Sequence, residues 1–113
     1  ISRIIEIAVS DPAGWRKTTL EERHKIMYEA ANRLGEMRGD LIGCMCAITG
    51  KTVVEGDVEV SEGIDYARFY TTSMKLFADL PDVDITPEGT VLVISPWNFP
   101  CAIPIGGIVA ALA

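Results

Sequence analysis

The 113-residue chain holds one histidine, three cysteines, and ten lysines and arginines against sixteen aspartates and glutamates. Each scarcity narrows the function. A net charge of −6 with no basic stripe argues against a surface that tracks nucleic-acid phosphates. Three cysteines, Cys44, Cys46 and Cys101, form no evenly paired disulfide framework and suit a reducing compartment such as the cytoplasm. Cys44-Met45-Cys46 is too closely spaced for the usual zinc pair and has no second ligand pair, so no metal site is expected. No GxGxxG follows an apolar run, and no phosphate-binding P-loop pattern is present. There is no internal repeat, low-complexity linker or charged-then-apolar leader, and Ile1 stands where an initiator Met would. The last thirteen residues are nearly all apolar, but a bilayer span needs about twenty, and Pro104, Gly106 and Gly107 interrupt them.

Apolar residues are abundant: 49% of the chain is hydrophobic. A domain of this size buries roughly two thirds of its unfolded surface, which leaves more apolar groups than one small core can cover. The chain stops at Ala110-Ala111-Leu112-Ala113, inside an apolar segment with no stop signal. Both features predict a piece of a larger α/β protein.

Periodicity places the elements. Residues 3–9 are a short helix, closed by Ser10-Asp11-Pro12-Ala13-Gly14. Thr19 and Glu22 read as a capping box, the Thr hydroxyl taking orphan amides and the Glu answering three residues on. Leu20, Met27, Ala31, Leu34, Met37 and Leu41 follow at helical spacing, with Arg23, Lys25, Glu29, Asn32 and Glu36 on the other face. Gly39-Asp40 should break this helix, residues 41–48 resume it, and Gly50 should end it in the left-handed region. Residues 53–77 form a third helical stretch, with Val54, Val58, Ile64, Ala67 and Thr71 on one side. Gly56 and Gly63 each cost it about 1 kcal/mol relative to Ala. Glu55, Glu59 and Glu62 fall on a face expected to be solvated, and Leu80-Pro81-Asp82 ends the helix. Residues 83–86 are a short extended piece, followed by a Pro87-Glu88-Gly89 turn. Residues 91–95 are apolar on both faces, as in a strand of a parallel sheet covered on both sides.

The chemistry concentrates after that strand. Pro96-Trp97-Asn98-Phe99-Pro100 is a rigid loop at a strand's carboxyl end, where open α/β sheets place ligands. The Asn98 carboxamide supplies two N–H donors. Held rigidly, one can stabilise a developing oxyanion, typically worth about 3–4 kcal/mol. Trp97 and Phe99 offer flat apolar walls. A turn Asn that caps its own loop is the alternative, and composition leaves both open. Cys101 has no partner base, because His24 stands alone on a surface helix, and reads as a small buried hydrophobe.

The run Ile94-Ser95-Pro96-Trp97-Asn98-Phe99-Pro100, with the apolar stretch ending Ala110-Ala111-Leu112-Ala113, resembles the aldehyde dehydrogenase superfamily. Arg23 to Leu34, Ile48-Thr49-Gly50-Lys51-Thr52 and Asp57 to Tyr70 fall in that family's order, so the resemblance covers nearly the whole chain. The stretch Val60 to Tyr70 looks most like the L-glutamate γ-semialdehyde (1-pyrroline-5-carboxylate) dehydrogenase branch, which includes the dehydrogenase half of bifunctional proline-catabolism enzymes. The resemblance implies a doubly wound, Rossmann-like α/β fold, with residues 1–113 the first part of the cofactor domain, mostly helical with one or two strands. It implies attack of a cysteine thiolate on an aldehyde, hydride transfer to NAD (or NADP), and release of the acid by a glutamate-activated water. Asn98 matches the family's oxyanion-hole amide. Ile94, Ser95, Pro96 and Trp97 match the segment along the cofactor's nicotinamide-ribose side. Phe99 matches a wall of the aldehyde channel, and Glu62 a carboxylate near the substrate entrance. Cys101 does not match the nucleophile; that cysteine, the general base and the ribose-gripping lysine lie downstream in the family. The resemblance therefore implies that this chain alone is inactive and that its parent is a homo-oligomer. Another branch, such as succinate-semialdehyde dehydrogenase, and a non-enzymatic helical interaction module remain as alternatives.

Overall fold

The computed structural model describes residues 1–113. Five α-helices and one 3₁₀ turn make up its regular structure: α1 (Ser2–Ser10), the turn Trp15–Lys17, α2 (Leu20–Glu36), α3 (Arg38–Thr49), α4 (Val53–Ala78) and α5 (Ala102–Leu112). α4 is the central element, packed against α2, α3 and α5.

Local chemistry sets most of the boundaries. Thr19 and Glu22 form the expected capping box at the start of α2. A second box, Thr52 with Glu55, starts α4 in the same way. Gly50 closes α3 at φ 73°, where a side chain would be strained. The break between α2 and α3 falls at Met37, two residues before Gly39-Asp40. Gly39 is helical, because a glycine costs a helix only about 1 kcal/mol and does not by itself stop one. α4 ends at Ala78, before Leu80-Pro81-Asp82 as expected.

Tertiary contacts explain the glycines of α4. A Cβ on Gly56 would lie 3.2 Å from Ile42 Cγ2 of α3, and one on Gly63 would lie 3.0 Å from Ile105 Cδ1 of α5. The missing side chains let both neighbours approach, which offsets the helix propensity lost there. The buried side of α4 is therefore Gly56, Glu59, Val60, Gly63, Ile64, Ala67 and Thr71. Val54 and Val58, expected on that side, are 74% and 62% exposed. The register turns so that the glycines, not the valines, face α3 and α5.

The core is small. Met27, Ala31, Met45, Val60, Ile64, Ala67, Cys101 and Val109 form one buried cluster. The molecule measures 46 × 35 × 20 Å, so its thin dimension admits about two layers of helices. Its radius of gyration is 15.7 Å, against about 13 Å for a compact domain of around 100 residues. As composition implied, many apolar side chains stay in water. α1 has no buried residue, and Leu92 and Ile94 are 80% and 84% exposed.

No strand forms, which corrects the expectation for residues 91–95 and for a sheet within the chain. A strand is held by ladder hydrogen bonds to a neighbour, and neither residues 83–86 nor 91–95 finds an edge to pair with. Of the apolar residues there, Val93 lies against α5, where a Cβ on Gly107 would meet its Cγ1 at 2.6 Å.

Candidate active-site loop

The loop that follows is held from three directions. Pro96 and Pro100 fix two of its backbone φ angles. Trp97 and Asn98 form the turn between them. Downstream, the chain enters α5 at Cys101, which has no side-chain cap of its own. The cap comes from α4: Glu59 Oε1 accepts hydrogen bonds from the backbone N–H of Cys101 at 2.7 Å and of Ala102 at 3.1 Å. A carboxylate at a helix N-terminus satisfies orphan donors and opposes the positive end of the helix dipole. The other end of α5 is served similarly, with Trp15 Nε1 donating to the Leu112 carbonyl and Arg23 donating to that of Ala113, both at 3.2 Å. Arg23, expected on the solvent face of α2, is half-buried for this reason.

Glu59 is 1% exposed, not part of a solvated acidic face. Its Oε2 has the Lys51 ammonium at 2.6 Å and no further hydrogen-bond partner. Burial pushes the Glu59 carboxyl up, but Lys51 and the two amides outweigh it and hold the group below the ordinary glutamate value. Lys51 also places its Nζ 3.8 Å from the centre of the Phe99 ring, a cation–π contact. Neither Lys51 nor Glu59 stands out from spacing alone. The available signal was register: Glu59 lies between Gly56 and Gly63 beside Val60, on the stripe that two tightly packed glycines mark.

The expected site residues separate into two groups. Phe99 and Glu62 line one cleft of about 250 Å³, together with Lys51, Val54, Glu55, Val58 and Glu59. Glu62 accepts the Tyr66 hydroxyl at 2.8 Å. The second group is a strip on the outer surface: Ile94 and Trp97 are 84% and 78% exposed, Pro96 is exposed and Ser95 half-buried. Asn98 sits between the two groups, exposed, and does not line the cleft. Its carboxamide has no hydrogen-bond partner within the chain, so it does not cap its own loop. Cys101 is 8% exposed; burial and the Glu59 charge push its thiol up, as befits a core cysteine. His24 is half-buried on α2 with its Nδ1 unpartnered. No cluster of three or more His, Cys, Asp or Glu could hold a metal ion. No helix is long and apolar enough to cross a membrane.

Known proteins place this loop in a family. The chain is 35% identical, over all 113 of its residues, to bifunctional protein PutA of Escherichia coli (strain K12), of which it covers 8%. It is 34% identical over 122 aligned positions, 99% of its length, to alpha-ketoglutaric semialdehyde dehydrogenase of Bacillus subtilis (strain 168), covering 25% of that protein. Over 87% of the chain it is 33% identical to 1-pyrroline-5-carboxylate dehydrogenase of Geobacillus sp. (strain WCH70), covering 21%. It thus spans a quarter or less of each of these relatives. No solved structure matches it significantly. A sequence model of the aldehyde dehydrogenase family matches residues 1–113, the whole chain, and the protein belongs to that family.

Proposed function

We propose that this chain is the N-terminal part of the cofactor-binding domain of an NAD(P)-dependent aldehyde dehydrogenase that oxidises L-glutamate γ-semialdehyde, formed from 1-pyrroline-5-carboxylate, to glutamate. Asn98 is the oxyanion donor: its amide N–H bonds to the aldehyde oxygen as that atom gains negative charge. One observation carries this role. The Asn98 carboxamide is presented to the outside with no internal partner, on a loop fixed by two prolines and by α4.

The donor set suits a nicotinamide cofactor. Ile94, Ser95, Pro96 and Trp97 offer a flat apolar strip with one hydroxyl, able to cover a ring and a ribose, and no cluster of cations for phosphates. NAD(P), when bound, supplies the acceptor for the hydride leaving the substrate carbon. Phe99 walls the aldehyde's approach, and Glu62, which lines the same cleft, serves as the carboxylate near the substrate entrance. Residues 91–95 then form a strand of the doubly wound sheet, paired with neighbours that this chain does not supply. Three free cysteines fit a reducing, cytoplasmic setting, and the parent is a homo-oligomer, as the family resemblance implies.

The relatives named PutA and 1-pyrroline-5-carboxylate dehydrogenase favour the glutamate semialdehyde reading. A second reading rests on the alpha-ketoglutaric semialdehyde relative, which is about as similar. A panel of glutamate, α-ketoglutarate and succinate semialdehydes, compared by kcat/KM on the full-length enzyme, decides between them. In that enzyme Asn98→Ala should lower kcat about 10²–10³-fold, as for loss of one oxyanion donor. An unchanged kcat with a raised KM would assign Asn98 to ground-state binding instead.

A further inference from the structure

We infer that the Lys51–Glu59 pair is a positioning device for Asn98, coupling the start of α4 to the loop's geometry. This rests on the reading of Asn98 as the oxyanion donor.

Two contacts converge on the residues just after Asn98, and a third joins them to each other. Lys51 Nζ lies against the Phe99 ring, 3.8 Å from its centre. Glu59 Oε1 takes the amides of Cys101 and Ala102. Glu59 Oε2 takes Lys51 Nζ at 2.6 Å. The two side chains are 13% and 1% exposed, so water competes little for either. One carboxylate thus fixes where α5 begins, and the cation it holds fixes the neighbouring ring. Between these anchors and Pro96 lies only the turn that carries Asn98. A short turn with the Pro96 φ fixed before it and these contacts anchoring the chain after it has less freedom to move its amide, and an oxyanion donor works only when held in place before the charge develops.

The ion pair, rather than a hydroxyl cap, follows from the residues available. Cys101 offers only a weakly accepting thiol at the cap position, so an outside acceptor must serve. A glutamate has two oxygens and serves both the amides and Lys51. A glutamine has one acceptor oxygen and must choose.

The test uses the full-length dehydrogenase with Glu59→Gln, Lys51→Met and Asn98→Ala, alone and combined. Misplacing a catalytic group by about 1 Å costs up to roughly a hundredfold. Glu59→Gln and Lys51→Met should each lower kcat roughly ten- to a hundredfold, with the KM for the cofactor unchanged. Added to Asn98→Ala, each should lower kcat little further, because no donor remains to be positioned. Equal fold losses with and without Asn98, or a kcat unchanged per folded site, would overturn the inference while leaving Asn98 as the donor. No effect of Asn98→Ala on kcat would remove the oxyanion reading itself, and the positioning role with it. Lys51→Met keeps the hydrocarbon stem and leaves Glu59 its two amides. It therefore decides the matter if Glu59→Gln does not fold.

Discussion

The ring of Tyr66 is packed against Gly106 so closely that a Cβ there would lie 2.9 Å from its Cδ2. The hydroxyl of the same tyrosine donates to Glu62 Oε1 at 2.8 Å, and that carboxylate holds the phenol above its ordinary pKa. The contact between α4 and α5 is thereby linked to the carboxylate proposed for the substrate entrance.

Gly106→Ala must therefore displace Tyr66, and overpacking of this kind costs about 1–3 kcal/mol. Gly43, in the interior of α3, is the opposite case, with nothing within 4 Å of a built Cβ. Gly43→Ala should stabilise by up to about 1 kcal/mol from helix propensity. Thermal unfolding of the two full-length variants should move in opposite directions. A neutral or stabilising Gly106→Ala would show that the helices can separate without cost.

Glu59 predicts an acid limit to stability. Its folded pKa is lowered, so its contribution is complete above the unfolded value near 4.5 and is lost as the pH falls below that. Glu22 and Glu55, lowered chiefly by the backbone amides of Thr19 and Thr52, act in the same sense. Glu59→Gln should lose stability less steeply than the natural protein below about pH 4.5. Melting curves between about pH 3 and 7 that fall in parallel would place the acid sensitivity elsewhere.

Removing the carboxylate altogether is harsher. Glu59→Ala leaves a mostly buried ammonium and two uncapped amides, and breaking a buried ion pair costs about 3–5 kcal/mol. Denaturant midpoints for the Ala and Gln variants should differ clearly, with Ala the weaker. Equal midpoints would mean that the amides find water or another acceptor at no cost.

The 113-residue chain by itself should give no reduced cofactor with NAD and glutamate semialdehyde, because its only loop-adjacent thiol, Cys101, is buried and held protonated. It should also self-associate through residues 83–95, whose apolar side chains and unpaired backbone are exposed. Light scattering and absorbance of reduced cofactor test both statements. A monodisperse monomer that melts cooperatively would contradict the second.

By itself the sequence determined most of the local structure: where most helices begin and end, and where the proline-bounded turn lies. Capping boxes, the left-handed Gly50 and the proline-bounded turn act over three or four residues, and their physics is complete at that range. The tertiary structure decided what those elements face. Glu59 shares its helix periodicity with Glu55 and Glu62, yet Glu55 caps its own helix, Glu62 holds a tyrosine, and Glu59 is buried to cap another helix 42 residues on. Only the flanking Gly56 and Gly63 mark its side of the helix, and its partners at Cys101 and Ala102 exist only once α5 has packed against Gly63. Residues 91–95 show the same limit in reverse: they have a strand's composition, but a strand is a relation between two segments, and no segment of this chain pairs with them.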